Sequence, residues 1–267
     1  MFNQIMKKIN ISKVINNYII QINSELEERW NLWEKDLIQN HVYEVIGGML
    51  SRQTSLATQF AKNPNIWNGE IAPILLRTMA DNHINLAWIL KNPNLHSEEF
   101  ITHGLGQLKL DLEHRKRKME EDGIEVKNNP HLQSEEDFIN SQRYSFLTEV
   151  NLGSWSGNST RKMAEEANLL DFYNYVYQPF SNCVHSTWGH ISKYNNVPSD
   201  NPFHKFLRYP RILEFYPDFY FLELAAKYLA KSFRLFDENF PLSIDAPKSF
   251  DKLQTELRKV VEENNEA

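Results

Sequence analysis

Arg77 and Asp81 stand four residues apart in the stretch 71–93, IAPILLRTMADNHINLAWILKNP, which is otherwise mostly apolar. On a helix that spacing puts both side chains on one face, with Asn85 and Trp88 extending the row. Asn82 and His83 add two more polar groups to the same rod. A buried helix tolerates so many polar side chains only when they pair or do chemistry. Two readings follow. Asp81 orients the Arg77 guanidinium toward a phosphate, which a guanidinium binds in a bidentate fork. Alternatively the pair is an intrahelical salt bridge that allows a buried arginine to exist at all.

A second stretch, 171–194, carries Tyr173, Tyr177, Ser181, Asn182, His185, Ser186 and His190. Ser181 and His185 are four apart, as are Asn182 and Ser186, so each pair is within reach on a helix. Imidazoles titrate near neutral pH, which makes His185 a candidate general acid or base. If Arg77 and His185 meet across a bundle they make a phosphodiester-cleaving pair. The histidine moves the proton and the arginine stabilises charge developing on phosphate. Tyr177, Asn182 and Ser186, with Arg208 from the run HKFLRYPR at 204–211, are the candidate substrate-binding groups, since arginine and tyrosine together grip phosphate and stack a base. The same polar groups also read as satisfied core residues that set helix register, and the 204–211 run as a solvated connection.

Arg77 and His83 form an Arg-x5-His spacing, and Thr78 follows the arginine. This resembles the HEPN superfamily of helical-bundle ribonucleases, which carry arginine and histidine at such spacing on one helix. The resemblance implies metal-independent RNA cleavage in a cleft at a homodimer interface. Six positions amount to about 600° of rotation, so His83 lies roughly 120° around the helix from Arg77. That places His185 ahead of His83 as proton carrier. The Arg77-x3-Asp81 helix, followed by a Tyr-rich helix with Ser181, Asn182, His185 and Ser186, is also similar to an uncharacterised bacterial family of helical proteins known only as a domain of unknown function. The similarity spans about the central two thirds of the chain and implies a fold rather than an activity.

Other chemistries lack their residues. No Gly-x-Ser-x-Gly turn presents a nucleophile, and no Gly-rich loop cradles phosphates. His185 and His190 are five apart, a poor spacing for joint ligation from one helix, and the paired Glu-x-x-His of a di-iron bundle is missing, so neither metal nor cofactor is expected. The single cysteine, Cys183, rules out an intrachain disulfide and fits a reducing cytoplasm. The net charge of −6 is unlike the basic excess of proteins that live on nucleic-acid backbone. Asn10, Ser12, Lys13, Asn16 and Asn17 interrupt the N-terminal apolar run, so no targeting segment is expected, and no membrane span is expected either.

The elements that must position these groups all read as helices. Apolar residues recur at helical spacing over 12–39, 42–61, 71–92, 97–121, 134–150, 171–194, 217–238 and 248–263, with Ser159 capping a further short helix. Gly47–Gly48 predicts close packing or a bend in the second helix. The 171–194 helix is expected to be bent or broken near Pro179, and the runs 124–132 and 151–158 read as loops. Period-two alternation is absent, so no strand is predicted. The expectation is an all-α fold, a multi-helix bundle of about eight or nine helices forming one domain over 1–267. Helices 12–61 and 248–263 are expected to form an outer layer.

Two functions compete on these residues. The first is a metal-independent HEPN-like ribonuclease acting on RNA as a toxin or antiviral effector, with Arg77, Asp81 and His185 or His83 in the catalytic roles. The second is a non-catalytic interaction or regulatory subunit, a homo-oligomer or the partner of another protein, in which the polar rows are structural.

Overall fold

The computed structural model describes residues 2–127, 129–142, 153–244 and 248–265. The fold is all-α. Helices α1 (Phe2–Leu32), α2 (Asn40–Lys62), α3 (Ala72–Ile89), α4 (Pro93–Glu121) and α5 (Pro130–Ser141) come first. Short helices follow: α6 (Thr160–Glu166), α7 (Leu170–Phe172), α8 (Gln178–Val184) and α9 (Trp188–Tyr194). A small hairpin, β1 (Asn196–Pro198) and β2 (Arg208–Pro210), leads to α10 (Phe219–Asn239) and α11 (Ser249–Asn265).

α3 is the axis of the bundle. It packs against α2, α6, α8 and α10, and Leu76, Met79, Ala80, Ile84, Leu86 and Ile89 on it are wholly buried. A helix enclosed from several sides has to be apolar nearly all round, which is why its sequence is hydrophobic on more than one face. Its remaining polar groups are tied to neighbours. Asn82 Nδ2 donates to Met49 O and Gln53 Oε1, both 3.0 Å away, and Gln53 Nε2 donates to Met79 O at 3.2 Å, which locks the register of α2 on α3. Around this centre α10 packs on α2, α3 and α11; α1 packs on α2 and α11; and α4 packs on α2 and carries α5.

Two charged side chains in α1 have structural work that their position in sequence does not advertise. Arg29 is buried and forks onto Asp237 of α10, Nε to Oδ1 at 2.8 Å and Nη2 to Oδ2 at 2.6 Å. Glu25 accepts from Lys248 N, Ser249 N and Ser249 Oγ at 2.7–2.9 Å, so its carboxylate caps the first turn of α11. Gly47 lets Trp30 lie against α2: a Cβ there would sit 2.8 Å from Trp30 Cζ3.

Several boundaries differ from the sequence reading. α1 stops at Leu32 rather than running to 39, and the Asp36 carboxylate caps a separate 3₁₀ turn by accepting from Ile38 N. α4 opens at Pro93 rather than at 97, and in that first turn the proline's missing N–H costs nothing. α5 is capped by Asn129, which accepts from His131 N and Leu132 N, and Ser134 lies inside the helix. The predicted continuation over 143–150 lies outside the described residues. Ser159 does cap α6, accepting from Lys162 N at 3.2 Å.

The 171–194 segment is broken into short helices, as one of the two expectations had it, but the break does not fall at Pro179. A wide π-type turn, Tyr173–Tyr177, stands directly before Pro179, with Gln178 N donating to Tyr173 O. Pro179 has no N–H for the carbonyl four residues back and its ring crowds that carbonyl, and the wider turn takes up the misfit. The true break comes later, at Ser186, whose φ of 48° is left-handed and ends α8 before α9 begins. The unpredicted hairpin pairs Asn196 with Pro210 and Pro198 with Arg208, antiparallel. Three-residue strands flanked by prolines are too short to show an alternating pattern.

Candidate functional site

Arg77 projects from α3 onto α8. Its Nε donates to Ser181 Oγ at 2.8 Å, its Nη1 is hydrogen-bonded to Asp81 Oδ2, and its guanidinium carbon lies 3.1 Å from the centre of the Tyr177 ring. Ser181 Oγ in turn donates to Tyr177 O at 3.0 Å, so the hydroxyl is oriented to accept from the arginine. Arg77 Nη2 makes no hydrogen bond to a described residue. Cation–π stacking and two charge-assisted bonds hold the guanidinium in one orientation.

The spacing on each helix explains why these groups meet. Arg77 and Asp81 are one turn apart on α3; Tyr177 ends the π-type turn before α8, Ser181 lies on α8 one turn later, and His185 caps its end. Where the two helices pack, one row faces the other. Tyr173 stacks on Tyr177 with ring centres 4.8 Å apart, which helps to hold the ring that the arginine covers.

The electrostatics are mixed. Burial pushes the Asp81 carboxyl above its ordinary value, against the pull of Arg77 and of a hydrogen bond from Tyr177. Burial also raises the Tyr177 phenol, with Thr160 at the start of α6 pulling the other way and the Asp81 carboxylate adding to the rise. α3, the start of α6 and the π-type turn before α8 therefore converge on the Asp81–Tyr177 contact. Arg77 is 12% exposed and Asp81 40%, so the carboxylate is the open side of the cluster. Asp81 borders a cleft of about 670 Å³ between α2, α3, α4 and α5, whose walls also include Thr78, Asn82, Asn85, Arg52 and Phe100.

His185 is exposed and ends α8, one turn beyond Ser181; its backbone N–H donates to Ser181 O at 3.0 Å. Asn182 is exposed and accepts from Thr187 Oγ1 at 3.3 Å, and Ser186 is the exposed left-handed residue between α8 and α9. Arg208 lies on the exposed strand β2 and is not among the cluster's contacts.

His83 is separate from this group. It is buried and faces α10, with Nδ1 3.0 Å from Ser232 Oγ and its ring edge against Phe172. Ser232 donates to Tyr228 O at 3.1 Å, so the imidazole Nδ1–H is the donor to Ser232. Burial, with Lys231 nearby, lowers the imidazole to about 3, so it stays neutral through the physiological range. Arg77 and His83 thus look onto different neighbours, as the 120° offset between them requires.

Ser181 is legible in the sequence as the residue four before His185, whereas nothing in the sequence links Thr160 to α3. His190 turns out to be paired with Glu70, Nε2 to Oε2 at 3.0 Å, and Asn195 Nδ2 reaches the other oxygen of that carboxylate at 3.4 Å. Among the described residues no three His, Cys, Asp or Glu side chains are grouped so as to hold a metal ion. Among the described residues no helix is long and apolar enough to cross a membrane.

The family of unknown function DUF5677 matches residues 43–202, which takes in most of α2, all of α3 to α9 and with them the whole Arg77–Asp81–Tyr177–Ser181 cluster. No curated protein and no solved structure matches the chain. The chain belongs to the DUF5677 family.

Proposed function

We propose that this DUF5677 protein cleaves RNA, with Arg77 holding the scissile phosphate, Asp81 orienting the guanidinium and His185 carrying the proton. The observation behind this reading is the reach of Arg77 from α3 to Ser181, on the row of α8 that ends one turn later in an exposed imidazole. Arg77 Nη2 is available for a phosphate oxygen, while the other guanidinium contacts preorganise it.

In the reaction His185 takes the proton of the ribose 2′-hydroxyl and the freed oxygen attacks phosphorus. The bond to the 5′ oxygen breaks, leaving a 2′,3′-cyclic phosphate; the departing oxygen takes a proton from water, and His185 releases the proton it took to solvent. Arg77 stabilises the charge that grows on the non-bridging oxygens. His83 has no part in this scheme, because it is buried against Ser232. Such an activity acts in the cytoplasm and fits a toxin or an antiviral defence effector.

A second reading has one specific observation in its favour. The guanidinium already has Asp81, Ser181 and Tyr177 as partners, as it would in a purely structural tie between α3 and α8 of a regulatory subunit. Cleavage of a labelled single-stranded RNA by wild type and by His185→Ala, with a thermal melt of both, separates the two. The nuclease reading expects loss of cleavage with an unchanged melt, and fails if wild type leaves the RNA intact or if His185→Ala cleaves equally well.

A further inference from the structure

The hairpin between α9 and α10 ends in side chains that a solvated loop has no reason to carry. Phe203 is 92% exposed, Phe206 89% and Ile212 98%. Aromatic and aliphatic side chains this open, clustered within ten residues, mark a surface that another molecule covers. Between Phe203 and Ile212 there are three cations, Lys205, Arg208 and Arg211, and no carboxylate. None of the three forms an ion pair among the described residues, and the chain as a whole carries −6. The arm is therefore a basic, apolar projection from an acidic protein.

A surface of opposite character lies at the other end of α10. A cavity of about 400 Å³ between α1 and α2 has an apolar floor that includes Trp30, Trp33, Leu50 and Phe236, with Glu27 and Glu44 among its lining residues. Both carboxylates are exposed. The cations nearby are already engaged: Arg29 with Asp237, and Lys35 with the carbonyls of Trp30 and Trp33. Gly47 and Gly48 leave the α2 wall without side chains, and a Cβ at Gly48 would meet nothing within 4 Å. Leu37 and Ile38, just beyond α1, are also strongly exposed.

The arm cannot fill this cavity in its own chain. It is tethered at its base, by Arg211 N donating to Asn195 O at the end of α9 and by Asp218 N at the start of α10 donating to Trp67 O. The cavity reaches the end of α10 at Phe236, and a helix of 21 residues is about 31 Å long.

We propose that the protein forms a reciprocal dimer in which the 203–212 arm of each copy occupies the α1–α2 cavity of the other. A two-fold axis running outside the protein, past the middle of α10, makes both contacts at once. The assembly closes at two copies and does not grow head to tail. Arm aromatics fill the apolar floor and the three cations face Glu27 and Glu44. This inference is independent of the nuclease reading.

The test is molar mass by sedimentation equilibrium, together with circular dichroism to establish that each variant is folded. Wild type is expected at twice 31.5 kDa. Phe206→Ser with Ile212→Ser on the arm, and separately Glu27→Lys with Glu44→Lys at the cavity, are each expected to weaken association at least tenfold. Combining the cavity reversal with Lys205→Glu and Arg208→Glu is expected to restore the dimer. A wild type that is monomeric across the concentration range overturns the proposal. So does a dimer indifferent to both sets of changes, or arm variants that lose binding to a single-stranded oligonucleotide while the mass of the protein is unaltered.

Discussion

Arg77 on α3 donates from Nε to Ser181 Oγ on α8 at 2.8 Å, across 104 positions of sequence. This contact ties the most buried helix of the bundle to the segment that carries the exposed His185. It makes Arg77 part of the fold whatever else it does, and that governs how substitutions there have to be interpreted.

Arg77→Ala is expected to lower stability by about 2 kcal/mol in a urea titration. The change removes one hydrogen bond, one partly exposed ion pair and the stack on Tyr177, and leaves Asp81 without its partner. The open position of Asp81 keeps the loss below that of a fully buried pair. Arg77→Lys is expected to recover only a fraction, since an ammonium has neither the fork nor the planar face.

His185→Ala is expected to leave the urea midpoint within about 0.5 kcal/mol of wild type, as substitutions at exposed positions do. Cleavage of RNA is expected to fall roughly 10²–10⁴-fold, the usual contribution of a general acid or base. Equal cleavage by this variant removes His185 from the reaction.

His83 gives the protein a pH dependence of definite sign. Its imidazole is neutral when folded down to about 3, whereas in the unfolded chain it takes up a proton near 6.5. The unfolded state thus binds the extra proton between those limits. The His83 contribution to stability is intact above pH 6.5 and is lost as pH falls toward 3. Over that window its share of the slope approaches about 1.4 kcal/mol per pH unit. Asp81, whose carboxyl is raised in the fold, acts with the opposite sign over its own range. His83→Gln is expected to flatten the acid limb of a stability–pH curve, and an unchanged limb would show that another group sets it.

Gly69→Ala is expected to destabilise by about 1–3 kcal/mol by thermal melt, because overpacking forces a neighbour to move. A Cβ at position 69 would lie 2.5 Å from Tyr194 Cε1 and 2.6 Å from its hydroxyl oxygen, and Tyr194 stacks beside His190, the partner of Glu70. Adding Tyr194→Ala is expected to cost less than the two single changes summed, a coupling that a double-mutant cycle reads directly.

The legible part of the site was the part that is local. Arg77 with Asp81, and Tyr177 with Ser181 and His185, follow from helical spacing alone, because residues one turn apart share a face whatever surrounds them. The 120° offset of His83 was legible for the same reason. Arg29 was overlooked although it falls on the apolar row of α1 between Leu26 and Trp33, where a charge announces a buried partner. That partner, Asp237, is 208 residues away and no periodicity points to it. The hairpin and the π-type turn were hidden because each is a short backbone adjustment to prolines and not a pattern of side chains.

By itself the sequence determined that the chain is a helical bundle, that an apolar helix near its middle bears a paired arginine, and that a Tyr–Ser–His row lies on one later segment. These are consequences of backbone periodicity, which acts over one or two turns. Only the tertiary structure decided that Arg77 meets Ser181 and Tyr177, that His83 turns to Ser232, and that His185 stands in solvent one turn past the cluster. Those outcomes depend on which face of α3 each neighbour covers, and that is settled by the packing of the whole core, where every side chain competes for the same volume.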